Sequence, residues 1–182
     1  ISKQILSIDS AKQVNNIHEA KRLLLKLDSC SNMDVSPYIT DFTKIWLVKD
    51  PIPVNGMWGD SVTPTYAGNT LHFLKSEDGN IVPFSRTNVT YDPSSNASIV
   101  AAERMSQNNW CLDLYNVLGH GRLATFIDSD KDEHSVPIHN INDLTQFVLY
   151  DCPDDPEYDE YRNIRLTEMP PKHNLEVMHI TK

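Results

Sequence analysis

The sequence predicts a single loop-rich α+β domain, in which a mainly antiparallel sheet packs against two main helices. The 182 residues are 40% hydrophobic and 23% charged, and a chain of this length can bury one substantial core. Short β-rich runs between turn formers outnumber the helical segments. Eleven prolines favour a loop-rich protein over a helical bundle.

The first predicted helix lies near the N-terminus, in residues 11–27. Its apolar side chains recur at helical spacing and form one face. The face contains Val14, Ile17, Ala20, Leu24 and Leu27. We therefore divide the domain into an N-terminal helical segment, residues 1–30, and an α+β core, residues 31–182.

The core begins with a β-rich run over residues 45–48, and residues 51–69 are predicted to be a long irregular loop. Two further β-rich runs flank Glu77-Asp78-Gly79-Asn80, and this Asp-Gly pair predicts a hairpin turn. A second helix is expected from about residue 99. Strands are then predicted at 122–128, 134–141, 146–151 and 175–180.

The charge pattern excludes one class of partner. The formal net charge is −9, whereas nucleic-acid binding needs clustered lysine and arginine. The acidic residues concentrate in 128–133 and 151–161, which are expected to be solvated faces. The second run is also a candidate contact surface for a basic partner protein.

The cysteine count and the hydropathy of the sequence indicate the redox environment of the protein and whether it crosses a membrane. Three cysteines without a Cys-x-x-Cys pair favour a reducing environment, or at most one disulfide. No apolar run approaches the roughly 20 residues of a membrane span, so none is predicted.

Two groups of residues are candidate metal sites. Asp128, Asp130 and Asp132 alternate as calcium ligands do, but Glu133 stands where an EF-hand loop needs glycine. The other group is His134, His139 and Cys152, which falls short of the four ligands of structural zinc. We predict neither a metal nor a cofactor.

The stretch QNNWCLDLYNVLG, residues 107–119, carries the chemical hypothesis. If residues 106–109 break the helix, Cys111 opens a new one, where the helix dipole and free N–H groups favour a reactive thiolate. The alternative is one continuous helix over about residues 98–118. Cys111 would then be a core residue, because free cysteine is commonly buried and inert.

Residues 107–153 resemble the core of papain/transglutaminase-like cysteine enzymes, in which a cysteine opens a helix and histidine and aspartate follow on neighbouring strands. The matching pieces are Asn-Trp-Cys at 109–111, His134 in EHSVPI and Asp151 in FVLYDCP. The resemblance implies that Cys111 is the nucleophile, His134 the base and Asp151 the orienting group. Gln107 takes the place of an oxyanion-hole amide.

The spacing departs from this family at one point. Twenty-two residues separate Cys111 from His134, fewer than is usual among its members. His139 is therefore the substitute base, and His120 a weaker one.

Three functional hypotheses follow. The favoured one is a thiol-dependent hydrolase, deamidase or acyl-transfer enzyme acting on amide bonds of a protein substrate. By analogy it would be an effector or toxin domain working in a reducing cytosol, that of a host cell if the protein is secreted. The second is a mono-ADP-ribosyltransferase-like toxin domain using Glu176, although no strand arginine matches convincingly. The third is a non-enzymatic module with an acidic interaction surface.

Overall fold

The computed structural model describes residues 22–55, 61–115, 119, 121–128 and 130–179. Within these residues the chain is built mainly from strands. The strands are β1 (Leu24–Asp28), β2 (Val35–Ser36), β3 (Phe42–Val48), β4 (Val54–Asn55), β5 (Ser61–Val62), β6 (Tyr66–Lys75), β7 (Ile81–Tyr91), β8 (Ser98–Ala101), β9 (Cys111–Asp113), β10 (Leu123–Ile127), β11 (Glu133–Pro137), β12 (His139–Ile141), β13 (Leu144–Val148) and β14 (Val177–Met178).

These strands form a nine-stranded mixed sheet, a three-stranded sheet and a two-stranded ribbon. The large sheet has the order β12-β13-β1-β8-β2-β7-β6-β3-β14, the small one is β11-β10-β9, and β4 pairs with β5. Three ladders of the large sheet are parallel, namely β1 with β8, β2 with β7 and β14 with β3. The large sheet curls back on itself, which brings together strands that are not neighbours in its order. The amide of Tyr150, just after β13, donates to the Phe73 carbonyl in β6 at 2.9 Å.

The predicted packing against two main helices is wrong. Helical structure in the described residues consists of short pieces. They are helix α1 (Ala102–Gln107), helix α2 (Asp159–Arg162) and 3-10 turns at Ile39–Asp41, Pro156–Tyr158 and Lys172–Asn174. The fold is therefore mostly β.

The error at the N-terminal segment has a physical cause. The predicted helix covers residues 11–27, but its last four residues lie in β1, in which Leu25 and Leu27 are buried and their neighbours are half-buried. A leucine-rich run fits a helical face and an alternating strand equally well, and neighbouring strands on both sides decide the outcome. The rest of the predicted helix, residues 11–21, lies outside the described residues.

The second helix is shorter than predicted. Helix α1 ends at Gln107, and Asn109 adopts a positive φ of 66°, a conformation that asparagine tolerates better than most residues. The amide of Trp110 bonds back to the Met105 carbonyl at 3.1 Å. The chain therefore turns at 108–110, and the segment after the break is strand β9 instead of a second helix.

The hairpin prediction is confirmed. Strands β6 and β7 pair along most of their length, with Lys75 opposite Ile81 next to the turn. Gly79 has a φ of 93°, the left-handed conformation for which glycine was expected. By contrast, the loop predicted for 51–69 is too long, because β6 begins at Tyr66 and β4 pairs with β5 inside it.

The core lies between the curled sheet and the small sheet. It contains side chains from both sheets together with Met105 of α1. Its central members are Leu25, Leu74, Phe84, Val100, Ala124, Val136 and Phe147. The predicted strand at 134–141 divides here: β11 joins the small sheet, β12 joins the large one, and the buried Ile138 lies between them.

Candidate functional site

Cys111 lies on the outer face of the small sheet. It is exposed at the start of β9 and pairs with Thr125, which in turn pairs with Ser135. Directly paired residues of antiparallel strands project to the same side of a sheet. The hydroxyls of Thr125 and Ser135 are 3.1 Å apart, as this arrangement requires.

His134 projects to the opposite side. It pairs with Phe126 and stacks on that ring with 5.0 Å between the ring centroids. Trp110 also packs against Phe126, with its ring tilted by 35° and 4.4 Å between the ring centroids. Side chains alternate between the two faces along a strand, so the sheet itself separates the His134 ring from the Cys111 thiol.

The carboxylate beside His134 is Asp128, and not the predicted Asp151. His134 Nε2 lies 2.7 Å from Asp128 Oδ2, and this hydrogen bond is the main cause that lowers the pKa of Asp128. Asp151 is exposed after β13, where its charge raises the pKa of Arg165 against the larger opposing effect of burial.

The remaining predicted residues are also dispersed. Gln107 is exposed at the end of α1, with its amide 3.4 Å from Glu103 Oε1. His139 is half-buried in β12, and burial lowers its pKa. His120 lies outside the described residues. The structure does not bring Cys111, His134 and Asp151 together. Amide hydrolysis therefore stays a prediction that the arrangement of these side chains does not support.

The run of aspartates after β10 builds a turn. The amides of Asp130 and Asp132 each donate to Asp128 Oδ1 at 2.9 Å, while His134 occupies Oδ2. The carboxylate therefore has protein partners on both oxygens. Across the described residues, no cluster of three or more His, Cys, Asp or Glu side chains could hold a metal ion.

Glu176, the candidate for ADP-ribosyl transfer, is exposed just before β14. Its carboxylate forms an exposed ion pair with Lys44 at 3.3 Å. The neighbouring Val177 is also exposed, at 61%. The surroundings of Glu176 are thus an open sheet edge.

The acidic runs gather at one end of the molecule, which we call the acidic end. It consists of residues 75–80, 128, 130–135 and 151–162. The Glu77 amide donates to the Ser135 carbonyl at 2.8 Å, and the Tyr158 hydroxyl donates to the Ile81 carbonyl at 3.0 Å. The hairpin turn therefore bridges the aspartate turn and the C-terminal acidic segment.

The acidic end carries the whole net charge of the chain. It holds twelve of the 25 acidic residues and three of the 16 basic ones, which leaves thirteen of each sign elsewhere. Every acidic side chain in it except Asp128 is exposed. Arg162, one of the three basic residues of the acidic end, forms ion pairs with Asp154 and Asp159.

A second polar group lies inside the large sheet, centred on Asp41. Asp41 Oδ2 accepts hydrogen bonds from Ser36 Oγ at 2.5 Å and Ser98 Oγ at 3.3 Å. His72 Nε2 is 3.1 Å from the same oxygen. All four residues are buried.

Burial dominates the ionisation of His72. It lowers the pKa of the imidazole, against the opposing influence of Asp41, and the positive charges of Arg86 and Arg165 act in the same direction as burial. Burial also raises the pKa of Asp41, but the contacts with His72, Ser36 and Arg86 outweigh it, so that this pKa is lowered.

Arg86 and Asp34 form the neighbouring half of this polar group. Arg86 Nη1 donates to the Ile99 carbonyl at 3.0 Å and lies 3.6 Å from Asp34 Oδ2. Asp34 Oδ1 accepts from the Ala101 amide at 2.8 Å. A buried charge needs such a partner, so this pair fixes β7 against β8.

The sequence interpretation missed the buried polar group, although the hairpin contained a signal for it. His72 and Arg86 lie at even positions, in phase with the core residues Leu74 and Phe84. Two polar side chains on the apolar face of a predicted hairpin are unusual enough to single out.

Comparison with known proteins gives no relative: no protein family model, no curated protein and no solved structure matches this chain. In the described residues, no helix has the length and apolar character needed to cross a membrane.

Proposed function

We propose that this domain is a non-catalytic interaction module whose acidic end binds a basic segment of another protein. The observation that carries the proposal is the location of the charge: the net −9 of the chain resides in the acidic end. A like-charged surface of this kind attracts a cationic partner and accelerates its association. It repels nucleic-acid phosphates for the same reason.

The form of the acidic end also supports a preformed surface. Asp155 Oδ1 accepts from the Glu157 amide at 3.1 Å, and Arg162 donates to the Pro153 carbonyl at 2.5 Å. These contacts hold the C-terminal acidic segment in one conformation, and a preformed surface loses less entropy on binding.

An exposed apolar side chain borders the acidic end. Ile127 is 61% exposed beside Asp128 and pairs with Glu133 of β11. An exposed apolar side chain within a charged rim is the usual composition of a protein contact surface. The expected ligand is therefore a lysine- or arginine-rich segment that also contains an apolar residue.

The test measures binding of a fluorescent Lys/Arg-rich peptide to the full chain by anisotropy. The test variant is the triple Asp154→Asn, Asp155→Asn, Glu157→Gln, in which the side-chain oxygens that accept hydrogen bonds are retained. The matched control, Asp50→Asn, Asp143→Asn, Glu168→Gln, removes three exposed charges outside the acidic end.

The test triple should weaken binding about tenfold at low salt, and the control less than twofold. Raising the salt should weaken binding to the wild type more than to the test triple, because screening acts on the charges that the triple removes. Equal losses in the two triples, or binding that ignores salt, would rule out the acidic end as the contact surface.

A further inference from the structure

Three buried hydrogen-bond donors of the large sheet have no partner among the described residues. They are the Nε–H and Nη2–H groups of Arg86 and the hydroxyl of Thr70. The Nδ1 atom of His72 has none either, whereas its Nε2 lies 3.1 Å from Asp41 Oδ2. Arg86, His72 and Thr70 are 5%, 3% and 1% exposed. Buried polar groups are normally paired, so a cluster of unpaired donors requires an explanation.

The three side chains share one face of the β6–β7 hairpin. Thr70 is directly opposite Arg86 in the strand register, and directly opposed side chains project to the same side. His72 follows Thr70 by two residues and therefore lies on that side too. The donors thus come from adjacent positions of two paired strands.

Arg86 is held so that one edge of its guanidinium is free. Its Nη1 is engaged by the Ile99 carbonyl at 3.0 Å and by Asp34 at 3.6 Å. The free Nε and Nη2 groups form the side edge of the guanidinium fork, and two parallel N–H groups of this kind match the oxygens of a carboxylate. A single acceptor such as a halide can also bind between them.

We propose that the interior of the large sheet contains a binding site for one small anion, a halide or a carboxylate group, formed by the side edge of Arg86 and the hydroxyl of Thr70. His72 Nδ1 lies on the same face and becomes a further donor when the imidazole takes up a proton. This site is separate from the acidic end and does not depend on the function proposed for it.

The surrounding charges determine how the anion is accommodated. Arg86 is near Asp34, Asp41 and Arg104, and Arg165 is near Asp41 and Asp151. A bound anion adds a negative charge to this group, and that charge favours the protonated form of His72. Binding of the anion should therefore strengthen as the pH falls.

The first experiment is anomalous diffraction from crystals of the full chain grown in sodium bromide. The expected result is a bromide peak in contact with Arg86 Nε and Nη2 and with Thr70 Oγ1. Ordinary water density at this position, or bromide at surface residues only, would overturn the proposal.

The second experiment measures the apparent bromide Kd in solution from the rise in melting temperature, with bulky gluconate keeping the ionic strength constant. The variant Thr70→Val removes the hydroxyl while keeping the shape, and it should raise the Kd about tenfold. Ser85→Ala, an exposed position on β7, should leave the Kd unchanged. A Kd that is the same in Thr70→Val as in the wild type would exclude the hydroxyl as a ligand.

Discussion

His72 and Asp41 are buried side by side, with 3.1 Å between the imidazole Nε2 and the carboxylate Oδ2. The imidazole resists protonation because burial lowers its pKa. The unfolded chain has no such restriction, so its His72 titrates near 6.5. Protonation therefore favours the unfolded state at mildly acidic pH.

We accordingly predict that stability is complete above about pH 6.5 and falls by about 1–2 kcal/mol as the pH decreases from 6.5 to 5. Chemical denaturation at several pH values measures the effect, and His72→Gln should remove most of the slope. The lowered pKa of His139 acts in the same direction. The exposed His173 supplies the control, since His173→Gln should keep the wild-type slope.

Gly68 should tolerate no side chain. A Cβ at this position would lie 2.1 Å from the Lys44 carbonyl oxygen and 2.7 Å from Phe42 Cδ1. The first of these is backbone of β3, which cannot move without disturbing the β3–β6 pairing. Gly68→Ala is expected to destabilise the fold by about 3 kcal/mol, visible as a lower denaturation midpoint. Ser85→Ala serves as the control, and equal midpoints for the two variants would contradict the prediction.

Buried and exposed ion pairs should contribute very differently. Asp34→Asn leaves the buried Arg86 without its nearest carboxylate, and the expected loss is about 3–5 kcal/mol. Glu176→Gln removes the partner of Lys44 in a pair whose side chains are 54% and 69% exposed, so the loss should stay below about 1 kcal/mol. Urea denaturation of both variants makes the comparison, and similar losses would refute it.

Cys111 should react independently of His134. The thiol is exposed on the outer face of the small sheet, whereas His134 stacks on Phe126 at the opposite face. His134→Ala should therefore leave the rate of Cys111 alkylation by iodoacetamide unchanged, with the exposed Cys30 as the internal reference. A rate that falls for Cys111 alone would restore the predicted nucleophile–base pair.

Local signals in the sequence predicted the elements whose conformation is decided locally. The Asp-Gly turn at 78–79 requires a left-handed residue, and the structure has it at Gly79. The sequence allowed either a helix break at residues 106–109 or one continuous helix. The structure has the break, and Asn109 adopts a positive φ there. Both features depend on a few neighbouring residues, so the sequence contains the information.

The long-range features were beyond such reasoning. Leu24 and Leu27 fit a helical face, but pairing with β13 and β8 places them in a strand. Cys111 fits a helix start, yet its pairing with Thr125 places it in a sheet. Each outcome depends on a partner that is distant in sequence, and tertiary pairing overrides local propensity in these cases. The same holds for the candidate chemical site, because strand register decides which face each side chain occupies.

The position of β1 has a consequence for how the protein comes into being. Strand β1 leads the described part of the large sheet in sequence, yet it lies between β8 and β13, which are completed only at Ala101 and Val148. During synthesis, more than a hundred residues are added after Leu27 before both strands that pair with β1 are complete. At about 5–20 residues per second, this interval lasts at least several seconds. We therefore expect slow folding limited by chain closure, with the nascent chain depending on protection from aggregation until β13 emerges.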